Sequence, residues 1–383
     1  MILLLFFTRG VSLETWINSG LFDREKLIYE HHLYQGNLKK VYWVTYGEND
    51  GALSDALKQE VKLHPGISVI GMPKFFKYIP KRFGSYLYSL VIPFINRNSL
   101  KDSDIYKTNQ IDGSWSAVIS KWLYKKPLLV RTGYTISTLP RSNAQDIRSK
   151  WNGLIEGFAY KNSDYAVVSS YHNSEYIKKQ YNQIDSQFSV LYNYIDLSLF
   201  TFDSNKSRYE DRVLYVGRLN HEKNLFNLIK AISTTSLILD IYGQGELESD
   251  LKVFAKQCSA NVNFHGVLNN IKLAEIYKKY LYYILISHQE GMPKTLLEAM
   301  ASGCFCIGSN VLGINEIIKD GVNGVLAKTT ESDEILKALN RSLQITNKEE
   351  MIKFGVDMVE ENCSLKKIAA KEFLIFKNLV DDK

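Results

Sequence analysis

The stretch Tyr282-Tyr-Ile-Leu-Ile-Ser-His-Gln-Glu-Gly-Met-Pro-Lys-Thr-Leu-Leu-Glu298 contains a strand, a turn and a helix in that order. Residues 282–286 form an apolar run with the length of a buried strand. Gly291 and Pro293 then set a turn, and a helix is predicted from Thr295 to Met300. Because this order is the repeating unit of a parallel sheet covered by helices, the stretch predicts the α/β class.

The same alternation of strands and helices extends over most of the chain in two series. The first series of predicted strands is Ile2–Phe7, Val41–Tyr46, Ile67–Ile70, Ile105–Lys107, Leu128–Arg131, Tyr165–Val168 and Ser189–Leu191. The second is Val213–Val216, Leu237–Tyr242, Val262–Phe264, Tyr282–Ile286, Phe305–Gly308 and Gly324–Leu326. A polar linker is predicted at 201–211. We expect two doubly wound, Rossmann-like domains, residues 1–200 and 201–364, and an amphipathic C-terminal helix, residues 365–383.

The composition is that of an ordinary soluble protein. Hydrophobic residues make up 45% of the 383 residues and charged residues 23%, enough for two buried cores. The net charge of +6, with bases scattered among acids, argues against a nucleic-acid face. The four cysteines lack paired spacing, and the apolar run 1–7 is too short for a signal or a membrane span. We expect a cytoplasmic protein, soluble or peripheral on the inner face of the membrane.

Two carboxylates frame the turn that begins the helix. Glu290 and Glu298 are good acceptors for paired hydroxyl groups, and eight positions on a helix predict that both face one side. The amides between them lie at the positive N-terminal end of the helix. The pattern favours an anionic or hydroxyl-rich ligand.

The stretch Val216-Gly-Arg-Leu-Asn-His-Glu-Lys-Asn224 connects a predicted strand to a helix. Arg218 and Lys223 on this loop suit a diphosphate leaving group, whose oxygens gain negative charge as a bond to them breaks. An ordinary solvated loop also carries exposed cations. By itself this motif leaves both interpretations open.

Together these stretches resemble the family 4 retaining glycosyltransferases, which have the GT-B fold. The matching pieces are Asn162-Ser-Asp-Tyr-Ala-Val-Val-Ser169, Val190-Leu-Tyr-Asn-Tyr-Ile-Asp196 with Phe200, Val216-Gly-Arg218 with Lys223, Tyr242-Gly-Gln-Gly245, Phe264-His-Gly266 and the Glu290/Glu298 block. The resemblance implies two Rossmann-like domains that face each other across a cleft, with the C-terminal helix crossing back to the first domain.

The resemblance also implies a role for each matching residue. Arg218 and Lys223 would bind the donor diphosphate, and Glu290 would contact the donor sugar; these three are the predicted catalytic residues. Glu298 would contact the ribose, Val267 and Leu268 would lie beside the nucleobase, and Gly10 would belong to a loop that closes on the diphosphate. The further predicted donor contacts are, in full, Gly10, Gly217, Val267, Leu268, Met292, Pro293, Lys294, Thr295 and Glu298.

The chain departs from that family after the predicted strand Leu128–Arg131. Many members carry a histidine there, whereas this chain has Thr132, Gly133 and Tyr134. Arg131, Thr132 and Asn109 are candidate acceptor contacts. A strand-end arginine paired with an acid is an equally good interpretation of Arg131.

No metal or resident cofactor is predicted, only the nucleotide-diphosphate sugar as co-substrate. Asp102 and Asp104 have the spacing of a metal motif but precede a strand, so we interpret them as a solvated loop.

The segment from Pro73 mixes aromatic residues with cations and contains no acid as far as Arg97. A helix packed on its own core is one interpretation. The other is contact with anionic lipid through Lys74, Lys77, Lys81 and Arg82.

The predicted function is retaining transfer of a sugar from a nucleotide-diphosphate sugar to a glycan, glycolipid or other polymer acceptor, in cell-surface polysaccharide synthesis. Expected partners are the donor, a glycan or lipid-linked acceptor and an anionic membrane surface, but no nucleic acid. The alternatives are a nucleotide-sugar epimerase of the same fold and a non-catalytic sugar-nucleotide-binding protein.

Overall fold

The computed structural model of the protein describes residues 1–133, 147–181, 187–204 and 207–382, without the side chains of Lys77, Lys81, Arg82 and residues 147–150. The chain divides into two compact units, Met1–Leu191 with Ala369–Lys383, and Tyr192–Ile368. The second unit begins before the predicted boundary at residue 200 because Ile195 and Phe200 are buried in its hydrophobic core.

The N-terminal unit is built on a parallel sheet. Its strands are β1 (Ile2–Phe6), β2 (Lys40–Val44), β3 (Ile67–Ile70), β4 (Ile105–Thr108), β5 (Leu128–Thr132), β6 (Tyr165–Val168) and β7 (Phe188–Val190). The strand order is β3-β2-β1-β4-β5-β6-β7. The order reverses at β1, and in such sheets ligands bind beyond the carboxyl ends of the strands.

Helices cover this sheet. They are α1 (Leu13–Asn18), α2 (Phe22–Tyr34), α3 (Asp50–Gln59), α4 (Lys81–Ile95), α5 (Arg97–Asp102), α6 (Ser114–Tyr124), α7 (Ile147–Asn162) and α8 (Tyr171–Tyr181), with a 3₁₀ turn, Lys74–Tyr78, before α4. Ser12 begins α1 through a capping box with Thr15, which satisfies amides that would otherwise lack partners. On one face, α6 packs between α4 and α7.

The C-terminal unit is built on a second parallel sheet. Its strands are β8 (Tyr209–Val216), β9 (Ile238–Tyr242), β10 (Val262–Gly266), β11 (Tyr280–Leu285), β12 (Phe305–Ser309) and β13 (Val325–Ala327), in the order β10-β9-β8-β11-β12-β13. Its helices are α9 (Leu225–Ile232), α10 (Glu248–Gln257), α11 (Asn270–Tyr277), α12 (Lys294–Ala301), α13 (Ser332–Gln344) and α14 (Lys348–Asn362). Every residue of β12 is buried, as expected for a strand covered on both faces.

The last helix, α15 (Leu365–Asp381), belongs to the N-terminal unit from Ala369 onward. Its Glu372 is buried and accepts hydrogen bonds from Lys107 Nζ at 2.5 Å and from His32 Nε2 at 3.3 Å. Burial lowers the pKa of Lys107, and the Glu372 carboxylate opposes that shift. An unpaired charge at this position would be costly, so the three side chains anchor the helix to the sheet.

The architecture confirms the predicted α/β class with two Rossmann-like units. Each predicted strand corresponds to a strand of the structure, with small shifts at the ends. The predicted linker at 201–211 extends too far, because β8 already begins at Tyr209, which pairs with Tyr280 of β11. In the described ranges, no helix has both the length and the apolar character needed to cross a bilayer.

Candidate active site

The strands β8 and β11 are direct neighbours in the C-terminal sheet. Because they are parallel, the loops that follow them leave the same edge of the sheet. The first loop carries Arg218 and Lys223, and the second carries Glu290. The fold thus places the three residues that the sequence marks as catalytic on two loops at the same edge of the sheet.

Lys223 and Glu290 form an ion pair through Lys223 Nζ and Glu290 Oε1. The two side chains are only 13% and 12% exposed, so the pair is largely shielded from water. Ser287 Oγ also donates to Glu290 Oε1, at 2.7 Å. The carboxylate is therefore held in one orientation by two donors, which leaves its other oxygen for a ligand hydroxyl.

Arg218 differs from Lys223 in its surroundings. Its side chain is 75% exposed, and its nearest acid is Glu222 at 3.9 Å. Its backbone carbonyl is fixed by the Tyr215 hydroxyl at 3.0 Å. A fixed backbone with an exposed guanidinium leaves the fork of N–H donors available to a phosphate.

Glycines allow the Arg218 loop to pack closely on the loop after β9. A Cβ at Gly217 would lie 2.6 Å from the Tyr215 hydroxyl, and one at Gly243 would lie 1.8 Å from the Gly217 carbonyl oxygen. The Leu219 amide donates to the Gln244 carbonyl at 3.0 Å. Gly243 thus positions the loop that carries Arg218 and Lys223, called the cation loop below. The sequence did not predict this role, although Tyr242-Gly-Gln-Gly245 is one of the family motifs.

The Glu290 turn is held from two directions. Gly313 has φ +80, and a Cβ there would lie 2.4 Å from the Glu290 carbonyl oxygen. Asn193 Nδ2 donates to the Met292 carbonyl at 2.6 Å. Neither Gly313 nor Asn193 was predicted to matter here, because only the folded chain brings them to the turn.

The helix α12 begins at Lys294, with Pro293 as its N-cap, and no side chain in the described part of the protein caps it. Thr295 Oγ1 accepts a hydrogen bond from the Tyr283 hydroxyl at 2.9 Å, and Lys294 Nζ lies 4.5 Å from the centre of the Tyr194 ring. Glu290 therefore precedes the helix. The expectation that Glu290 and Glu298 share one helical face is wrong, because only Glu298 is helical.

Glu298 lies inside the C-terminal unit. It is 1% exposed, and the Tyr277 hydroxyl donates to its Oε2 at 3.2 Å. Burial, followed by the nearby Glu298, raises the pKa of Tyr277, so the phenol remains a donor. Of the residues predicted beside the nucleobase, Val267 is 47% exposed and Leu268 packs on the core.

The N-terminal unit carries the remaining predicted contacts. Gly10 has φ +76 and belongs to the loop after β1. Its neighbour Arg9 forms a bidentate pair with Asp112 at 3.0 Å and stacks on the Tyr86 ring at 3.9 Å. Arg9 is thus occupied within the unit, whereas Gly10 supplies the left-handed turn that a tight loop needs.

The candidate acceptor residues lie at the ends of β4 and β5. Thr132 is only 1% exposed, which leaves it little surface for a ligand. Arg131 is half-buried; burial is the main cause that lowers the pKa of Lys107, and the charge of Arg131 lowers that pKa further. Asn109 is half-buried, and its amide donates to the Phe6 carbonyl at 2.9 Å. Tyr134 lies outside the described residues.

Asp102 and Asp104, which have the spacing of a metal motif, make structural contacts. Asp104 Oδ2 accepts from the Ile2 amide, and Asp102 Oδ2 accepts from the Tyr42 hydroxyl, both at 2.7 Å. The interpretation as a merely solvated loop is incomplete, because Asp102 joins the end of α5 to β2 and Asp104 joins the residue before β4 to the start of β1. Within the described residues, no group of three or more His, Cys, Asp or Glu side chains has the arrangement of a metal site.

The aromatic and basic segment exposes much of its apolar surface. Phe75, Tyr78 and Phe83 are 58%, 89% and 72% exposed, and Lys74 is exposed beside them. The side chains of Lys77, Lys81 and Arg82 lie outside the described part. The interpretation of a helix packed on its own core accounts for Phe76 and Tyr88, which are buried, but leaves these exposed rings unexplained.

Solved structures with the same two-unit architecture are glycosyltransferases of the GT-B fold. One is Anabaena Alr3699/HepE in complex with UDP and glucose, with a TM-score of 0.76 at 15% identity, covering 99% of this chain and 100% of that chain. At this identity the similarity shows the fold alone, and it confirms the predicted GT-B fold.

Sequence comparison adds the family. Residues 200–354 match the model of the glycosyl transferases group 1 family. This part of the chain is therefore similar to the group 1 glycosyltransferases, which agrees with the resemblance that the motifs predict.

Two of the relatives whose names state an activity act on lipid-linked acceptors. An Escherichia coli UDP-Gal:alpha-D-GlcNAc-diphosphoundecaprenol alpha-1,3-galactosyltransferase is 29% identical over 56% of this chain and 60% of its own length. A Campylobacter jejuni alpha-1,4-N-acetyl-D-galactosaminyltransferase, named for a diphosphate-undecaprenol-linked acceptor, is 32% identical over 43% of this chain and 46% of its own length. The chain thus spans about half the length of these relatives.

Proposed function

We propose that this glycosyltransferase moves a sugar from a nucleoside-diphosphate sugar to a lipid-linked glycan, with retention of the anomeric configuration and without a metal ion or resident cofactor. The observation that carries the proposal is the oriented Lys223–Glu290 pair, with the exposed Arg218 on the same loop as Lys223. This set offers cations for a leaving diphosphate and an oriented carboxylate for sugar hydroxyls.

The bond between the anomeric carbon and the β-phosphate oxygen breaks, and its electron pair stays on that oxygen. Arg218 and Lys223 stabilise the charge that develops there. The acceptor hydroxyl attacks the same face of the sugar, and its proton passes to the departing phosphate oxygen. Nucleoside diphosphate and the new glycoside are the products.

Retention is supported by the partners of Glu290. An inverting enzyme needs a general base on the face opposite the leaving group. Glu290, the carboxylate beside Lys223, is already bound by Lys223 and Ser287 and suits a hydroxyl-binding role. Thr132 and Gly133, at the end of β5, offer no base near neutral pH.

The experiment is proton NMR of the product made from an α-linked donor and an undecaprenyl-diphosphate glycan. An α-configured new linkage, with nucleoside diphosphate released only when acceptor is present, supports the proposal. A β-linkage would overturn retention. Isomerised donor without acceptor would identify an epimerase, and donor binding without turnover would identify a binding protein.

A lipid-linked acceptor is supported by one face of the N-terminal unit. Exposed apolar side chains continue from α4 onto the neighbouring helices α6 and α7: Leu87, Leu90, Phe94, Trp122, Leu123, Trp151 and Leu154. Glu156 is the one acid in the sequence of these three helices, and it is buried. Three helices that expose apolar side chains and no acid, with Lys74 exposed before the first of them, suit an anionic bilayer surface.

Vesicle sedimentation tests this attachment. Glutamate at Lys74, Lys77, Lys81 and Arg82 should release the protein from vesicles containing phosphatidylglycerol, and added salt should weaken binding of the wild type. Glutamate at Lys230, an exposed lysine of the C-terminal unit, is the matched control. Equal sedimentation of the fourfold variant and the wild type would contradict membrane attachment through this face.

A further inference from the structure

A cavity of about 400 Å³ lies at the carboxyl ends of three adjacent strands of the N-terminal unit, β1, β2 and β3. It is lined by the loops that follow these strands and by the start of α4. The predicted acceptor residues Arg131, Thr132 and Asn109 are not among its lining residues. Its volume is in the range of small-molecule sites, about 300–1,000 Å³.

The floor of the cavity is rigid. Asp50, which is 2% exposed, accepts the Leu13 amide at 2.8 Å and the Gly47 amide at 3.2 Å through one oxygen, Oδ2. This links the loop after β1 to the loop after β2. A Cβ at Gly47 would lie 2.1 Å from Asp50 Oδ1, so the link requires glycine there. The site is thus formed before any ligand arrives.

The walls combine apolar surface with the carboxylates of two side chains. Tyr46, Met72 and Phe76 form the apolar part. Glu14 and Glu48 supply carboxylates, and within the described residues neither forms an ion pair or a side-chain hydrogen bond. Carboxylates next to an apolar wall match a sugar ring, whose hydroxyls donate to the carboxylates while its C–H face packs on the wall.

We infer that this cavity, named the acceptor cavity here, binds the terminal sugar of the acceptor and selects neutral or amine-bearing sugars over acidic ones. The inference rests on the proposed function and adds the class of acceptor. Glu14, Glu48 and Asp50 place three carboxylates around one small volume. A uronic acid would add a fourth anion at short range, whereas a protonated amino group would meet partners.

The acceptor cavity also adjoins the surface assigned to the membrane. Phe76 and Ile79, in and just after the 3₁₀ turn, line the cavity, while Phe75 and Tyr78 of the same turn are exposed. A sugar in the cavity would therefore lie one residue along the chain from the rings for which we propose contact with lipid. This is the geometry that an acceptor with a sugar head and a lipid tail requires.

Saturation-transfer NMR on the full chain, without donor, tests the inference. The probes are the methyl glycosides of glucosamine, glucose and glucuronic acid at millimolar concentration. The wild type should bind the glucosaminide most tightly and the glucuronide at least about tenfold more weakly, because like charges at an interface are strongly disfavoured. Equal or tighter binding of the glucuronide, or no saturation transfer to any probe, overturns the inference.

The variant Glu14→Gln/Glu48→Gln keeps the shape of the cavity and removes two charges. The difference in affinity between the glucosaminide and the glucuronide should then decrease to about threefold or less. Glu175→Gln, at an exposed position on α8 outside the cavity, should retain the wild-type order. An unchanged order in the double variant, in protein with a wild-type melting temperature, also overturns the inference.

Binding of UDP and transfer to the lipid-linked acceptor are measured in the same samples. If the protein selects among the sugars but transfers none, the proposed function is refuted, whereas the inferred sugar binding at the acceptor cavity is supported. Transfer by protein without sugar selectivity would refute the acceptor cavity alone.

Discussion

Separate replacement of Arg218 and of Lys223 should lower turnover in both variants but lower stability mainly in the Lys223 variant. Both cations are proposed to stabilise the leaving diphosphate, so alanine at either position should lower kcat about a hundredfold or more. That corresponds to about 2.7 kcal/mol of lost transition-state stabilisation. The structure gives the two residues different surroundings, however, and their effects on folding should differ accordingly.

Arg218 is 75% exposed, and its nearest acid lies 3.9 Å away. A pair of this kind contributes less than about 0.5 kcal/mol to stability. Lys223 is 13% exposed and pairs with a carboxylate that is 12% exposed. Removing it leaves a shielded carboxylate with Ser287 as its remaining donor, which should cost about 1–3 kcal/mol.

The assay combines steady-state release of nucleoside diphosphate with thermal unfolding. Arg218→Ala should unfold within about 2 °C of the wild type, and Lys223→Ala should lose about 2–4 °C for each kcal/mol. Lys230→Ala, at an exposed lysine on α9, is the control for loss of a positive charge. Lys223→Met with Glu290→Gln removes both charges and should recover stability without recovering turnover.

Two results would refute this reasoning. Near-normal turnover of both alanine variants would remove the leaving-group role. A melting temperature of Arg218→Ala as low as that of Lys223→Ala would contradict the difference in burial on which the argument depends.

Three further predictions concern the metal, the C-terminal helix and the cation loop. Transfer should survive excess chelator, because two cations and the N-terminus of α12 supply positive charge; complete, metal-reversible loss would count against this. Burial raises the pKa of Glu372, but Lys107 and His32 outweigh it and lower that pKa from 4.5 to about 2. The stabilisation is thus present above pH 4.5 and lost as the pH falls towards 2. Denaturant titrations should show that Glu372→Gln is less stable than the wild type by about 3–5 kcal/mol at neutral pH and that its stability depends less on acid. Parallel pH profiles of the two proteins would contradict the pairing. Gly243→Ala should lower turnover, because the new Cβ would displace the Gly217 backbone. Circular dichroism in the absence of UDP should show that the variant is still folded. Unchanged kinetics would show that the loop carrying Arg218 and Lys223 tolerates the shift.

The sequence by itself determined the strands and the class, and it supplied the candidate residues of the site. Strand positions follow from runs of apolar residues, and such runs depend on neighbouring residues along the chain. Arg218, Lys223 and Glu290 became candidates because each lies in a loop that follows a predicted strand, where α/β proteins bind ligands. The family motifs added roles that no local pattern supplies.

Only the tertiary structure decided which of these residues meet and which are buried. The Lys223–Glu290 pair depends on β8 and β11 being neighbours, and the Lys107–Glu372 bond joins residues 265 positions apart. Glu298 and Thr132 were candidates from their positions but proved to be buried. The acceptor cavity arises from three separate loops. Local patterns cannot show such features, because sheet order and helix packing set them through contacts between distant parts of the chain.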